Sequence, residues 1–365
     1  MNNVSLAVIF GGSGARTASQ NSAQGRHADP GQKIGIEFEL EDWNANNPQS
    51  GWDIHSDASL RNGIEFVFSG PKYGRYAESA LEHFRVAAES GSFNVSERTS
   101  THIHMDMGDG ATVGDARKMF LLTYLIEPAM FRMADENRKW CSYCQPLTDM
   151  TQARISGILT SERNDAFVSA TTGGRHQEKY YAFNMKSLAR HQTIEFRYFP
   201  GYQSMADVDK WINLVQEIKK AARSVASIEE FMAIAIDRTR FRNWLTTAMP
   251  MSVAAGLLNG LDEYDANKRA QYLNAIMATS DLPTAAMHQR LQTVMPGSAA
   301  AKMLDALFSI RFDAETQRSE ALRRVLRTGG LGREDLDALR TVVSQMQNGR
   351  EFEQLIARHI SNNNN

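Results

Sequence analysis

Ile34-Gly35-Ile36-Glu37-Phe38-Glu39-Leu40 sets ionisable side chains two residues apart in an otherwise apolar run, and residues 64–68, 101–107 and 193–199 repeat the arrangement. Successive side chains of a β-strand point to opposite faces, so residues at i and i+2 share one. One face then carries Glu37 with Glu39, Glu65, His102 with His104 and Asp106, and Glu195 with Arg197. The other carries Ile36, Phe38, Leu40, Ile64, Phe66, Phe68, Ile103, Met105, Ile194, Phe196 and Tyr198. If the four strands share a sheet, its polar face crowds carboxylates and imidazoles over an apolar back. Like charges opposite one another destabilise a sheet, and crowded carboxylates raise one another's pKa values, unless a cation sits among them. A divalent metal is the natural candidate.

The 365 residues are long for one compact core and predict a large domain with an appendage, or two domains. With 42% hydrophobic and 22% charged residues and a net charge of -2, the composition is that of a globular chain. It carries no strong nucleic-acid signal. No run approaches the roughly 18 apolar residues of a membrane span, and the apolar run 4–10 lacks a basic flank, so a cytoplasmic location without membrane partners is expected. The only cysteines, Cys141 and Cys144, are spaced as Cys-x-x-Cys but follow a helical pattern and lack two further ligands for a closed zinc site. They are read as ordinary reduced thiols.

Residues 1–31 read as a flexible N-terminal segment whose Gly12-Ser13-Gly14 lacks the third glycine and the following helix of a dinucleotide fingerprint. Helical spacing covers 76–90 and 113–138, the latter with Pro128 as a kink or a new first turn and Glu127 just before it. Both helices are expected on the apolar back of the sheet. Gly173-Gly174 lie in a polar loop that delivers Lys179, after which 179–184 resumes a strand pattern. The chain thus reads as an α+β part over 32–225, an all-helical region over 226–361, and a frayed tail over 362–365.

Three or four carboxylates around one imidazole, without cysteine, favour Mg²⁺ or Mn²⁺. Such ions bridge phosphate oxygens and neutralise charge that develops in phosphoryl transfer. Arg197, on the face of Glu195, is suited to a bidentate grip on a phosphate or carboxylate.

Six segments in order carry a resemblance: Gly35-Ile36-Glu37-Phe38-Glu39, residues 52–60, Gly63-Ile64-Glu65-Phe66-Val67, residues 100–104, residues 179–184 and residues 193–199. Together they resemble the amidoligase family, carboxylate–amine ligases whose catalytic fold is similar to that of glutamine synthetase and glutamate–cysteine ligase. The resemblance covers about residues 34–215. It implies a curved, mainly antiparallel sheet with Mg-ATP on its concave face. ATP would phosphorylate a carboxylate, and an amine, on a small molecule, peptide or protein, would attack the acyl phosphate to form an amide. It further implies Glu37, Glu39, Glu65, His104 and Glu195 as metal ligands, with Arg197 as the phosphate clamp. Lys179 and Asn184 would approach nucleotide phosphates or substrate, and Asp57 and Ser59 would shape the substrate pocket, with His55 and Arg98 beside them. One departure is the extra residue between Ser69 and Pro71, where the family often has Ser-Pro. The region after about 225 has no counterpart in the resemblance and is a candidate for substrate recognition, homo-oligomer contacts or protein docking.

Two other classes remain open from the residues. A metal-dependent hydrolase would use the His102-x-His104-x-Asp106 strand, and an inactive ligase fold would serve as a binding or scaffold module.

Overall fold

The computed structural model describes residues 1–10, 32–108, 110–141, 143–173 and 179–278, with the positions 336, 340, 354–357 and 360. The segment read at 11–31, Gly174, the tail and, apart from those positions, the helices read beyond residue 280 lie outside the described residues. By internal packing the chain falls into two compact units, Met1–Leu147 with Gly157–Asp262, and Thr148–Ser156 with Glu263–Asn365.

The first unit is α+β, built on one curved, open, antiparallel sheet. Its strands are β1 (Ile34–Asn44), β2 (Trp52–Asp57), β3 (Gly63–Phe68), β4 (Ser92–Asn94), β5 (Ser100–Asp106), β6 (Phe183–Asn184) and β7 (Thr193–Pro200). They run in the order β2-β3-β1-β5-β7-β6, with β4 also paired to β1. The four alternating segments are therefore contiguous, as β3-β1-β5-β7. The expected strand over 179–184 forms only at Phe183–Asn184. Ahead of it, Gln145 pairs with this segment, donating to Tyr180 O and accepting from Ala182 N, both at 2.7 Å. The β2–β3 hairpin turns through Asn62 in the left-handed region at φ 47. At the following Gly63 a Cβ would lie 2.1 Å from that of Leu60, so no larger residue fits.

Among the described residues up to 278 the α-helices are α1 (Leu6–Ile9), α2 (Gly74–Glu89), α3 (Val113–Ala134), α4 (Gln152–Thr160), α5 (Asn164–Thr172), α6 (Ser187–His191), α7 (Met205–Ser224), α8 (Ile228–Ala235), α9 (Arg238–Ala248), α10 (Met251–Gly260) and α11 (Glu263–Ala278). α2 covers the apolar back through Phe84, whose ring lies 4.2 Å from Phe38, 5.3 Å from Phe66, 5.2 Å from Trp52 and 5.0 Å from Tyr202, centre to centre. A phenylalanine so buried contributes about 1.5–3 kcal/mol. α3 starts at a capping box between Thr112 and Asp115. It continues through Pro128 as one helix, so of the kink or new first turn expected there the new turn does not form, and it ends before a 3₁₀ turn at Glu136–Trp140. Glu127 is buried on this apolar side, where its Oε1 accepts from Leu147 N at 2.8 Å and Tyr198 Oη at 3.0 Å, so its role is structural.

Lys118 ties α3 to the end of α7 by donating to Val225 O at 2.7 Å, and Arg132 reaches Gly260 O of α10 at 2.6 Å. In the second unit, α11 buries Ala266, Ala270, Leu273 and Ile276 along one stripe. No helix among the described residues is long and apolar enough to cross a membrane.

Candidate active site

Sheet register brings the polar side chains together. Glu37 of β1 stands opposite His102 of β5, His104 opposite Glu195 of β7, and Glu195 opposite Asn184 of β6. On the other flank Glu39 faces Glu65 of β3, and Glu65 faces His55 of β2. Gly35 lies opposite His104, and a Cβ there would stand 3.2 Å from the histidine's own, so the glycine leaves room for the imidazole.

These side chains line a cavity of about 980 Å³. Glu37, Glu39, Glu65, His104, Glu195, Arg197, Lys179, Asn184, Asp57, Ser59, His55 and Arg98 all face it, as does His102. Asp106 does not. It ends β5, and its carboxylate accepts from Gly108 N at 3.2 Å to close the turn that follows, which removes the third member of the His-x-His-x-Asp set from the cavity. The sequence reading missed Lys186, Arg190, His191, Tyr143 and Tyr180. For the first two a signal existed, because a lysine and an arginine four residues apart occupy one face of a helical turn.

Among the described residues two groups of side chains have ligand atoms within 4.8 Å of one another, Glu37 with His104 and Glu195, and Glu39 with Asp57 and Glu65. In the first, His104 Nδ1 is engaged by Thr193 Oγ1 at 2.9 Å and Ser187 Oγ at 3.3 Å. Its Nε2 is buried 3.0 Å from Glu37 Oε1 yet makes no hydrogen bond with any described residue. An imidazole whose Nδ1 is held by hydroxyls and whose Nε2 points unbonded among carboxylates is oriented as a metal-ligating histidine is. The oxygen-rich donor sets of both groups fit a hard divalent cation. In the second group Asp57 Oδ1 is held by Ser59 N at 2.7 Å. Arg98 Nη1 donates to Ser59 O at 3.3 Å, which fixes the arginine to the same turn.

Around Glu195 the polar contacts are dense. Asn184 Nδ2 donates to its Oε2 at 2.7 Å and Arg197 Nη1 donates to its Oε1. Arg197 Nε is spent on Tyr143 O at 3.2 Å, and its guanidinium lies over the Tyr180 ring, which also carries the Lys179 ammonium at 4.9 Å. Cys144 is buried beneath, with its Sγ 3.1 Å from Arg197 O. Burial pushes its thiol up to about 11, and both cysteines are free.

The charges are unequal. Burial works against the Glu37 carboxylate, but the His104 and His102 imidazoles outweigh it and hold its carboxyl well below the usual range. Burial likewise opposes the His104 imidazolium, and Glu37 and Glu195 reverse this and raise its pKa. At Glu65 the help of the His102 imidazole is outweighed. Burial first, then the Glu37 and Glu39 charges, push Glu65 to about 7 from an ordinary 4.5.

A carboxyl whose folded pKa exceeds its unfolded one favours folding at acid pH, and that contribution is lost as pH rises from 4.5 through about 7. In chelator, Glu65→Gln should therefore match the wild-type melting temperature near the lower value and exceed it above the higher one. A gap that does not change with pH would show that Glu65 is not strained in this way.

A family model described as "Putative amidoligase enzyme" matches residues 37–219, half of the chain. The chain belongs to this amidoligase family. No curated protein matches it. The match spans the sheet from Glu37 to β7 and ends in α7, so it contains every side chain of the two carboxylate groups. Membership supports a ligase-type enzyme.

Proposed function

We infer that the protein is an ATP- and Mg²⁺-dependent ligase that joins a carboxylate to an amine. The observation that carries this reading is the pair of carboxylate groups side by side in one cavity, with cationic side chains at its borders. In the reading, Glu37, His104 and Glu195 hold one cation and Glu39, Asp57 and Glu65 the other. Bound there, Mg²⁺ would supply charge neutralisation for ATP phosphates. Lys179, Lys186 and Arg190 border the cavity near β6 and α6 and would take the triphosphate. His55, Ser59 and Arg98 lie at the β2–β3 side and would take the acid.

The reaction has two transfers. A carboxylate oxygen of the acid attacks the γ-phosphorus, the bond to the β,γ-bridging oxygen breaks, and ADP leaves with an acyl phosphate formed. The amine nitrogen then attacks the acyl carbon, phosphate departs with the C–O bonding pair, and the nitrogen sheds a proton. Among the described residues Arg197 spends Nε on Tyr143 and Nη1 on Glu195, and its Nη2 would steady the oxygens of the transferring phosphoryl group.

ATP titrated into the full chain by calorimetry, with and without Mg²⁺, tests the reading. Binding is expected only with Mg²⁺ and is expected to be lost in Glu39→Gln. Pooled acids and amines should then release ADP only when both are present. Nucleotide binding in neither protein would overturn the ligase and leave a scaffold built on the same fold.

A further inference from the structure

Each carboxylate group takes one member from β1, Glu37 in the first and Glu39 in the second. Between these two stands a pair from β5 that belongs to neither group. Ser100 Oγ donates to Glu39 Oε2 and lies 2.7 Å from His102 Nε2. A serine has one proton, and here it goes to the carboxylate, so His102 Nε2 is the donor in the second contact. The other ring nitrogen, Nδ1, lies 3.0 Å from Glu37 Oε2, 3.3 Å from Glu195 Oε1 and 3.4 Å from Arg197 Nη1, and because a carboxylate only accepts, the bond to Glu37 takes a second ring proton, on Nδ1. The outcome is a continuous chain, Glu37–His102–Ser100–Glu39. Its two central residues are 1% and 2% exposed, so water does not compete for these bonds.

The chain claims one oxygen from each carboxylate and leaves the other. Glu37 Oε1 faces His104 Nε2 at 3.0 Å while His102 holds Oε2. Glu39 gives Oε2 to Ser100, which leaves Oε1 free of the chain. Alternation along β5 makes this arrangement, since Ser100, His102 and His104 share a face and His102 sits in register with Glu37.

We propose that His102 and Ser100 are positioning residues that couple the two groups, so that a divalent cation bound at one alters the affinity of the other. The proposal rests on the two-cation reading given above. A carboxylate that swings to meet a cation at the first group changes its bond to His102. In a buried, packed chain that change reaches Ser100 and Glu39 rather than being absorbed by solvent.

The test uses Mn²⁺ alone, titrated into the full-length protein by calorimetry and counted by electron paramagnetic resonance. Glu65→Gln disables the second group and isolates the first. On that background Ser100→Ala should weaken the remaining Mn²⁺ site roughly tenfold, although Ser100 touches neither Glu37, His104 nor Glu195. Ser100→Thr, which keeps the hydroxyl, should restore it, and His102→Gln serves if the alanine variant fails to fold. A remaining site whose affinity stays within about twofold overturns the coupling, as does a drop in thermal stability with Mn²⁺ affinity unchanged. Absence of Mn²⁺ binding in the wild type overturns the coupling and the two-cation reading together. Binding at both groups with a first site indifferent to Ser100 overturns the coupling alone.

Discussion

Replacing Glu37 with glutamine is expected to cut turnover by about 10²–10³-fold while the protein stays folded. Glu37 faces two imidazoles, with one oxygen toward His104 and the other toward His102. Glutamine preserves its size and its hydrogen-bonding reach but not its charge. A catalytic cation contributes several kcal/mol to stabilising developing charge, and each 1.4 kcal/mol or so is a factor of ten in rate, which sets the size of the effect. Glu37 is a cleaner choice than Glu195, whose carboxylate also balances the buried guanidinium of Arg197. The readout is ADP release with the acid and amine found by screening, alongside a thermal melt. A variant that melts as the wild type does and retains full turnover would remove Glu37 from any ligand set and, with it, the metal reading of the first group.

Arg197→Lys is expected to lose about 10²-fold or more in kcat with a smaller change in KM for ATP. The arginine serves three directions at once. Nε donates to Tyr143 O, Nη1 to Glu195, and the flat guanidinium lies over Tyr180. A lysine has one nitrogen at the end of a flexible stem and cannot hold Glu195 and Tyr143 O while still offering a donor to the cavity. A change made only in the transition state lowers kcat, whereas a lost ground-state contact raises KM, so the split between them locates the role. Equal activity in the lysine variant would mean that Arg197 is a counter-charge for Glu195 and nothing more.

Much of this site was legible before any fold was known, and the reason is periodicity. A strand side chain alternates faces with period two, so Glu37 and Glu39, His102 and His104, and Glu195 and Arg197 were each bound to share a face whatever the strands' order. Where that period failed, so did the reading. Asp106 shares the parity of the histidines, but it sits at the strand's last position and closes a turn through Gly108, so alternation no longer governs where its carboxylate goes. The stretch 179–184 alternates as a strand does, yet Gln145 takes the Tyr180 carbonyl and the Ala182 amide, leaving the Ala182 carbonyl to Arg197 of β7, and that pairing between residues more than thirty apart is one no local pattern records.

Pro128 marks the same limit from the other side. Proline in a helix interior removes one hydrogen bond and is costly in isolation. α3 nonetheless continues, since the residues around Pro128 are buried against β7 and α10, and such packing outweighs local propensity.

The sequence alone determined the strand faces, the residue types that meet on the polar one and the family they resemble, because alternation and motif are local properties of the chain. Tertiary structure alone decided the grouping. It is the β3-β1-β5-β7 order and its register that divide six ligand-type side chains into Glu37, His104 and Glu195 on one side and Glu39, Asp57 and Glu65 on the other. The same register slots His102 and Ser100 between the groups and brings Lys186 and Arg190 to the cavity's border. Distances between side chains on different strands depend on pairing across the sheet, and pairing is settled by burial of the whole apolar back, not by any one segment.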